Sequence, residues 1–451
     1  MTTYLLTLWD GGGAVPPQLS VARALVARGH TVRALCDAAL VEEARGAGVD
    51  ARPWTRAPQR VSADPRDTHL ADWEIRNPIK LMAMIRDRLV FGPAGDYAAD
   101  VLAEHARAPF DVLLTSDALP GPALAAEALG LPFAVMVNQP YPLPLPDGFP
   151  PMGTGLGLPR GPVSRARNEL VGKLAVAAWA KGLPDLNAAR AGLGLAPADG
   201  PFAHLHRADR VLVLTSAAFD LGGARLPANT LYAGPRLDDP TWAPADAPLP
   251  PGDDPLVLVS LSSTYMRQGD LLGRIAQALG TLPVRGLVTT GPALDPGSVP
   301  APANVTVVRT ASHAAALRQA RAVVTHGGHG TVVKALAAGV PVVVLPMGRD
   351  QPDNATRVVA ASAGARLRKS ASAPRIAGAV RRALEDPALA AGARRMAAAI
   401  AEDTARDRAA DELEALGYDA RVMTAAQTAV SASVASSTVA RASRPPKQCS
   451  R

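Results

Sequence analysis

The sequence predicts an α/β protein with two doubly wound parallel sheets, each covered by helices. Short apolar runs recur along the chain, separated by alanine- and arginine-rich segments of helical period, and this alternation is typical of βαβ units. The alternation begins again at Leu256 after a proline-rich interruption, so we expect two sheets. A length of 451 residues also exceeds what one hydrophobic core usually supports.

The first half, residues 1–233, contains apolar runs that predict buried parallel strands. In order, these runs are YLLTL, TVRALC, FDVLLT and LPFAVMV. Two irregular segments interrupt the alternation, at residues 53–80 and at the proline-rich residues 138–162. Long loops on a rigid sheet commonly form a binding surface, so we expect ligand contacts from residues 53–100 and 138–165.

Residues 234–255 predict a linker, because their proline, glycine and aspartate content disfavours both helix and strand. The second half, residues 256–420, repeats the alternation through LVLVSLSS, RGLVTT, VTVVR, RAVVTHGG and PVVVLP. Residues 421–451 contain few large apolar side chains, and the sequence predicts that they form a disordered tail.

Composition argues against several functions. No apolar run approaches the roughly 18 residues that a membrane-spanning helix needs. The net charge is +7, but the tail from Arg421 holds five basic residues and no acid, which leaves about +2 for the rest. We therefore expect no nucleic-acid partner and no membrane partner. Two cysteines, Cys36 and Cys449, cannot build a disulfide framework, as expected for a cytoplasmic protein.

A glycine-rich turn follows the second-half strand that is predicted to end near Thr325. The turn reads HGGHGT, and a helix is expected to begin near Thr331. Gly327, Gly328 and Gly330 would let backbone amides approach a ligand, and a helix start adds free N–H groups and a positive dipole end. The turn therefore suits a pyrophosphate. A tight strand-to-helix connection without a ligand is the alternative.

Two other sites do not fit this turn. The oxyanion loop of lipase-like hydrolases can begin with HGG, but no GxSxG nucleophile motif occurs in the chain. His326 and His329 could bind a metal ion, but no neighbouring Cys, Asp or Glu completes a ligand set. We therefore expect no metal.

The stretch THGGHGTVVKALAAGVPVVVLPMGRDQPDNATRV, from Thr325 to Val358, resembles the donor motif of GT-B glycosyltransferases. This family includes plant UDP-sugar transferases and the bacterial transferases that decorate polyketide antibiotics. VARALVARGH, SDALPGPALAAEALGLP, YAGPRLDDPTW and LVLVSLSST extend the resemblance over nearly the whole chain. It implies two Rossmann-like domains that face each other across a cleft. It also implies inverting transfer of a sugar from a UDP- or dTDP-sugar to a small, largely apolar acceptor.

The resemblance also implies a donor site. Ligands bind at the carboxyl ends of strands in a doubly wound sheet, and the implied residues other than His313 all follow predicted strands. His313 takes the position of a family glutamine that packs on the nucleobase. For Asp350, a solvated loop carboxylate is the alternative. The implied contacts are His326, Gly327, Gly328, Gly330 and Thr331 for the diphosphate, Ser262 and Ser263 for the phosphates from the other side, and Asp350 and Gln351 for the sugar hydroxyls.

Lys334 departs from the family pattern. Many members have a glutamate here that reaches the ribose hydroxyls, and an ammonium group cannot accept those hydrogen bonds. Either the nucleotide is a deoxythymidine one, which lacks one hydroxyl, or Lys334 points elsewhere. A solvent-facing lysine on the helix is the simplest form of the second alternative.

The expected catalytic base is missing. The family usually has a histidine after the first strand, and here Ala14 of DGGGAVPPQL takes that position and cannot accept a proton. Asp117 matches the aspartate that normally orients the histidine, and burial could raise its pKa enough to make it the base. Asp10 is the second candidate and His69 the third. The alternatives are a helix N-cap for Asp117 and a turn residue for Asp10. An acidic phenol or aromatic carbon acceptor would need little help from a base.

The resemblance implies no metal or other cofactor besides the nucleotide sugar as co-substrate, and the oligomeric state stays open. Two other functions share the diphosphate turn. One is a non-catalytic or accessory nucleotide-sugar-binding homologue, which Ala14 and Lys334 would explain. The other is a nucleotide-sugar epimerase or hydrolase.

Overall fold

A computed structural model describes residues 1–422 except positions 63, 65, 66, 69, 76, 144, 146, 147, 221–225, 241 and 244–248. His69 and Cys449 therefore lie outside the described residues. The predicted tail does too, except for Arg421 and Val422, which continue a helix. Among the described residues, no helix combines the length and the apolar character that crossing a bilayer requires.

The first half folds as a seven-stranded sheet in the order β3-β2-β1-β4-β5-β6-β7. All its strand pairs are parallel. Its strands are β1 (Thr3–Thr7), β2 (Thr31–Cys36), β3 (Asp50–Pro53), β4 (Val112–Ser116), β5 (Phe133–Val137), β6 (Arg210–Val213) and β7 (Thr230–Tyr232).

Helices connect these strands, and a 3₁₀ turn, Asp72–Glu74, lies in the irregular segment before α3. The helices are α1 (Val15–Ala27), α2 (Val41–Gly46), α3 (Pro78–Ile85), α4 (Ala94–Arg107), α5 (Pro120–Leu129), α6 (Pro162–Ala180), α7 (Leu183–Gly192) and α8 (Ala203–Arg207).

The second half folds as a six-stranded sheet in the order β10-β9-β8-β11-β12-β13, again with parallel pairs throughout. The predicted pair of doubly wound parallel sheets is confirmed. The strands are β8 (Leu256–Ser260), β9 (Arg285–Thr289), β10 (Val305–Val308), β11 (Ala320–Thr325), β12 (Val342–Val344) and β13 (Gly364–Arg366). The helices are α9 (Gly269–Leu279), α10 (His313–Leu317), α11 (His329–Ala337), α12 (Gln351–Ala360), α13 (Ala373–Glu385) and α14 (Pro387–Thr404).

Each sheet has a hydrophobic core on both faces. Successive residues of a strand point to opposite faces, so Tyr4 and Leu6 of β1 enter one core and Leu5 enters the other. Val257 and Leu258 of β8 divide in the same way between the two cores of the second sheet. Burial on both faces explains why these strands are continuous apolar runs in the sequence.

The chain passes between the domains twice. Residues 233–255 join the sheets, and no helix or strand occurs among the described positions of this segment. After α14 the chain returns, and residues 408–422 form a helix that packs on the first domain. Tyr4 Oη donates a hydrogen bond to the carbonyl of Leu413 at 2.9 Å. Residues 408–420, which the sequence pattern assigns to the second half, therefore belong to a core of the first.

Polar contacts also join the two domains. Nη2 of Arg357, on α12, lies 2.6 Å from Oδ1 of Asp220, which follows β6, and both side chains are buried. His329, at the start of α11, places Nε2 2.8 Å from Thr215 Oγ1 of the first domain. These contacts hold the carboxyl ends of the two sheets facing each other.

Candidate active site

One cleft of about 2020 Å³ lies between the carboxyl ends of the two sheets. In both sheets the strand order reverses beside the first strand, between β1 and β4 and between β8 and β11. Residues that follow these four strands line the cleft, and ligands of doubly wound sheets bind at such reversals. The loops are close, because a Cβ atom on Gly12 would lie 2.6 Å from Thr264 Cγ2.

His326 follows β11 and lines the cleft, with only 7% of its surface exposed. Its Nδ1 atom lies 3.3 Å from Thr325 Oγ1. Burial, and then the charge of Arg349, lower the pKa of His326 to about 3. The imidazole is therefore neutral at physiological pH, and it would act on an anion as a hydrogen-bond donor.

Helix α11 begins at His329, before the predicted start at Thr331. Gly330 and Thr331 therefore lie in its first turn, where backbone N–H groups lack intrahelical partners. Both residues line the cleft, and their amides have no hydrogen-bond acceptor among the described residues. The positive end of the helix dipole thus points to the cleft together with two free donors.

Gly327 has a structural role that differs from the predicted one. Its φ of +98° lies in the left-handed region, and a Cβ atom there would lie 2.6 Å from Val344 Cγ1. Its N–H donates to Thr325 Oγ1 at 3.2 Å, and its carbonyl accepts from Asn354 Nδ2 at 2.8 Å. Gly327 therefore shapes the turn but does not present its amide to the cleft. Gly328, by contrast, lines the cleft as expected.

Ser262 and Ser263 follow β8 and line the same cleft. Ser262 Oγ lies 3.0 Å from Thr264 Oγ1 and also accepts from the Thr264 amide at 3.2 Å. The loop after β8 is thus held in place by its own hydroxyl groups, next to the turn after β11.

Asp350 and Gln351 both line the cleft, but they make different contacts. Asp350 Oδ2 accepts from Asn354 Nδ2 at 2.7 Å. Burial raises the pKa of Asp350 even though the Asn354 hydrogen bond acts to lower it. Gln351 Oε1 accepts from the amides of Met347 and Gly348 at 2.7 and 3.0 Å. The Gln351 carbonyl oxygen therefore fixes the loop after β12, whereas the Asp350 carboxylate is held by Asn354 of α12.

Lys334 points to the interdomain segment, not to solvent. Its Nζ atom donates to Asp239 Oδ1 at 2.9 Å, and its side chain is 11% exposed. Asp239 also accepts from Ser312 Oγ at 2.7 Å and from the Ala314 amide at 3.1 Å. His313 lines the same part of the cleft, and burial followed by the Lys334 charge lowers its pKa to about 4.

On the first-domain side, Ala14 lies just before α1 and lines the cleft with a methyl group only. Asp10 also lines the cleft, but its carboxylate is engaged. Oδ1 accepts from the Gly12 amide at 3.0 Å, and Oδ2 accepts from Arg60 Nη1 at 3.0 Å. These contacts fit the turn-residue alternative for Asp10, because both oxygens of its carboxylate are already hydrogen-bonded within the protein.

Asp117 follows β4 and lines the cleft. Its Oδ2 atom accepts from Gln139 Nε2 at 3.0 Å. Burial raises the pKa of Asp117 to about 6, although hydrogen bonds including that of Gln139 act to lower it. Helix α5 begins at Pro120, with Leu119 as its N-cap residue and no side-chain cap. Asp117 therefore does not cap this helix.

Three buried polar atoms near Asp117 have no hydrogen-bond partner among the described residues: Ser116 Oγ, Asn138 Oδ1 and His204 Nδ1. All three side chains belong to residues that line the cleft. The other ring nitrogen of His204, Nε2, lies 3.0 Å from the carbonyl oxygen of Asp117. Buried polar atoms without partners are uncommon in folded proteins, so this group suits a polar part of a ligand.

Much of the rest of the first-domain side is apolar. The predicted segments 53–100 and 138–165 contribute to this wall, and α6 extends it. Leu174 of α6 is 61% exposed, which leaves a large apolar side chain open at the cleft. The wall includes Ile75, Leu81, Met82, Ile85, Leu174 and Trp179.

Arg349 and Asp37 are among the charged residues of the cleft that were not predicted from the sequence. Arg349 lines the cleft directly before Asp350 in the same motif, and its φ of +55° is unusual for a residue with a Cβ atom. Asp37 follows β2 and is 2% exposed, and burial raises its pKa to about 7. The strand-end rule that located Asp117 could also have found Asp37, because it directly follows the TVRALC run.

The chain is similar in sequence to a known protein family and to a relative of about the same length. The family described as "Erythromycin biosynthesis protein CIII-like, C-terminal domain" matches residues 287–416. The 4'-demethylrebeccamycin synthase of Lentzea aerocolonigenes is 30% identical over 423 residues, which cover 91% of this chain and 97% of that protein.

Two solved structures share the fold over almost their full length. The glycotransferase of kitacinnamycin superposes with a TM-score of 0.70 at 23% identity, over 92% of this chain and 98% of that one. The glycosyltransferase VinC in complex with dTDP superposes with a TM-score of 0.64 at 18% identity, over 93% and 99% of the two chains. With two facing Rossmann-like domains and a full-length relative at 30% identity, the chain belongs to the GT-B family of natural-product glycosyltransferases.

Proposed function

We propose that this glycosyltransferase moves a sugar from a UDP- or dTDP-sugar to a small, largely apolar acceptor, with inversion at the anomeric carbon. One observation carries the proposal: the turn after β11 in one domain and Asp117 in the other line the same cleft. An acceptor held near Asp117 attacks the anomeric carbon from one side while the diphosphate leaves on the other. A single displacement of this kind inverts the configuration.

The second domain binds the donor in this proposal. The neutral His326 ring and the free amides of Gly330 and Thr331 donate hydrogen bonds to the diphosphate, and the dipole of α11 stabilises its negative charge. Such fixed donors stabilise charge that grows on a leaving group. Ser262 and Ser263 contact the phosphates, Asp350 binds a sugar hydroxyl, and His313 lies against the nucleobase. The dTDP bound to VinC supports a deoxythymidine nucleotide.

We further propose that transfer needs no metal ion. In the proposal, the α11 amides and His326 supply the stabilisation that a divalent cation would otherwise give.

Asp117 is the proposed base, in place of the histidine that Ala14 replaces. A carboxyl group with a pKa of about 6 is mostly ionised at neutral pH, yet it accepts a proton better than an ordinary carboxylate. Gln139 orients it through a 3.0 Å hydrogen bond. The unpartnered atoms of Ser116 and Asn138 suit the polar group of the acceptor that carries the nucleophile.

The apolar wall of α3 and α6 supports an acceptor with a large apolar body. Open apolar side chains such as Leu174 gain free energy when a ligand covers them. A hydroxylated polycyclic or macrocyclic molecule combines such a body with the hydroxyl group that Asp117 would deprotonate.

The test is a turnover assay with UDP- and dTDP-sugars and a panel of phenols and macrolides. We expect nucleotide release only when an acceptor is present, together with a glycosylated product. NMR should show that the anomeric configuration of this product is inverted relative to the donor. Release without an acceptor would indicate hydrolysis or epimerisation instead. Nucleotide-sugar binding without release under any condition would indicate an accessory protein.

A further inference from the structure

The 3₁₀ turn Asp72–Glu74 of the first domain contacts two arginines of the second. Arg349 Nε donates to Asp72 Oδ2 at 2.6 Å, and Glu74 lies 3.9 Å from Arg267. The Asp72 side chain is 9% exposed, whereas the Glu74 and Arg267 side chains are 61% and 60% exposed. The Arg349 side chain is 32% exposed, so the Asp72–Arg349 pair is the less exposed contact of the two, and it lies at the cleft.

Arg349 has an unusual backbone conformation. Among the described residues other than glycine, only Arg267, Arg349 and Ser362 have a positive φ. This region is unfavourable for residues with a Cβ atom, and such strain is common where a side chain must be aimed at a ligand. The backbone at Arg349 is thus held in a strained state that directs a guanidinium group into the cleft.

The guanidinium group of Arg349 lies among the groups proposed to hold the diphosphate. Its Nη1 atom is 3.2 Å from Thr264 Oγ1, which is 3.0 Å from Ser262 Oγ. After burial, the Arg349 charge is the main influence that lowers the pKa of His326. A guanidinium group offers planar donors that match either a carboxylate or a phosphate.

Asp72 is poorly satisfied as the partner of this cation. One carboxylate oxygen accepts from Arg349, and the other, Oδ1, is buried without a hydrogen-bond partner among the described residues. A buried carboxylate with so few partners is costly. An anion with more oxygens and more charge can therefore displace it from the guanidinium group.

We propose that Arg349 binds the donor diphosphate and that Asp72 competes with the diphosphate for the same guanidinium group. The inference rests on the proposed function. When the donor binds, Arg349 exchanges the carboxylate for phosphate oxygens. As the bond between the anomeric carbon and the diphosphate oxygen breaks, its electron pair moves to the diphosphate and Arg349 neutralises the growing charge. Arg349 is then a catalytic residue, and Asp72 is a positioning residue that sets donor affinity.

Two matched variants test the competition. Asp72→Asn and Glu74→Gln each remove one carboxylate charge from the same turn, and only the first removes the ion pair with Arg349. We would titrate the full-length protein with dTDP and with UDP by calorimetry. Asp72→Asn should lower Kd about three- to tenfold because a competing anion is lost, and Glu74→Gln should change it by less than about twofold. An unchanged or higher Kd in Asp72→Asn would overturn the proposal.

Variants of Arg349 test the contact itself. Arg349→Gln should raise Kd about tenfold or more and lower kcat, because a charge-assisted hydrogen bond is lost. In a protein that already carries Arg349→Gln, adding Asp72→Asn should not lower Kd, since the competition needs the guanidinium cation. Arg349→Lys keeps the positive charge but loses the planar guanidinium group, so its Kd should lie between those of the wild type and Arg349→Gln. This variant keeps the contact testable if Arg349→Gln folds poorly. Independent, additive effects at the two positions would overturn the proposal.

The outcomes separate this inference from the proposed function. Suppose the wild-type protein binds dTDP or UDP and His326→Ala weakens that binding, while the Asp72 and Arg349 variants behave like wild type. The inference then fails and the proposed function stands. If the wild-type protein binds neither nucleotide, the proposed function itself fails.

Discussion

Lys334 Nζ lies 2.9 Å from Asp239 Oδ1, so an ion pair fastens helix α11 to the segment between the domains. Asp239 also accepts hydrogen bonds from Ser312 and from the Ala314 amide. The pair explains how a lysine is accommodated where the family resemblance predicts a glutamate. Its charge is neutralised by a carboxylate that lies 95 positions away in the sequence.

Lys334→Ala should destabilise the protein in a pH-dependent way. Burial raises the pKa of Asp239, but Lys334 and the hydrogen bonds from Ser312 and Ala314 outweigh it, so the pKa lies below its ordinary value. A lowered folded-state pKa gives stability at neutral pH that is lost as the pH falls through it. We expect a loss of about 1–2 kcal/mol in the free energy of unfolding at neutral pH. Urea denaturation at neutral and acid pH measures it. An equal loss at both pH values would contradict the prediction.

His326→Ala should slow transfer without unfolding the protein. The variant removes a fixed hydrogen-bond donor from the diphosphate, which typically costs about 2–4 kcal/mol of transition-state stabilisation. Steady-state kcat/KM for the donor measures the loss. His206→Ala is the control, because His206 is exposed and does not line the cleft. If kcat/KM in His326→Ala equals that of the control, the diphosphate does not bind at this turn.

The pH dependence of kcat/KM should reveal the titration of Asp117. A base works only when deprotonated, so kcat/KM with alcohol acceptors should rise with pH through about 6, where burial places the pKa of Asp117. Asp117→Asn should lower the rate with alcohols and flatten this limb. Phenols should be affected less, because they ionise more easily. His326 adds no limb near neutrality, since its pKa is about 3. An alcohol series that reacts equally with both proteins would remove Asp117 from the role.

The buried pair between Asp220 and Arg357 should be essential for stability. Asp220→Asn leaves the buried Arg357 guanidinium group without its ion-pair partner, which typically costs about 3–5 kcal/mol. Urea unfolding, monitored by tryptophan fluorescence, measures the change in the free energy of unfolding. The control is Asp295→Asn, whose carboxylate is 75% exposed and 3.9 Å from Arg309, and it should change stability by less than about 0.5 kcal/mol. Similar values for both variants would show that the buried pair contributes little.

The two sheets could be predicted because strands buried on both faces are local apolar runs. YLLTL and TVRALC correspond to β1 and β2. Short edge strands such as β3, which reads DARP, have no such pattern and were not predicted. The helix at residues 408–422 has a clear apolar face, but that face does not reveal which of two cores it will join. Only the tertiary contact with Tyr4 settles this.

The same limit applies to the site. Because loops after parallel strands share one edge of a sheet, the sequence predicted that Ser262, His326 and Asp350 lie at one crevice, and all three line the cleft. It could not show which atoms stay free, since the Gly327 amide is taken by Thr325 through a local hydrogen bond. Arg349 was missed because its partner Asp72 is 277 positions away, and nothing near either residue indicates the pairing.

The return of residues 408–422 to the first core matters for building hybrid enzymes. The simplest way to exchange acceptor domains between relatives would be one cut in the interdomain segment, residues 233–255. Here a single cut would set a foreign terminal helix against Tyr4 and its neighbours. With a second cut between Thr404 and residue 408, the first domain and the terminal helix can be exchanged together as one discontinuous module.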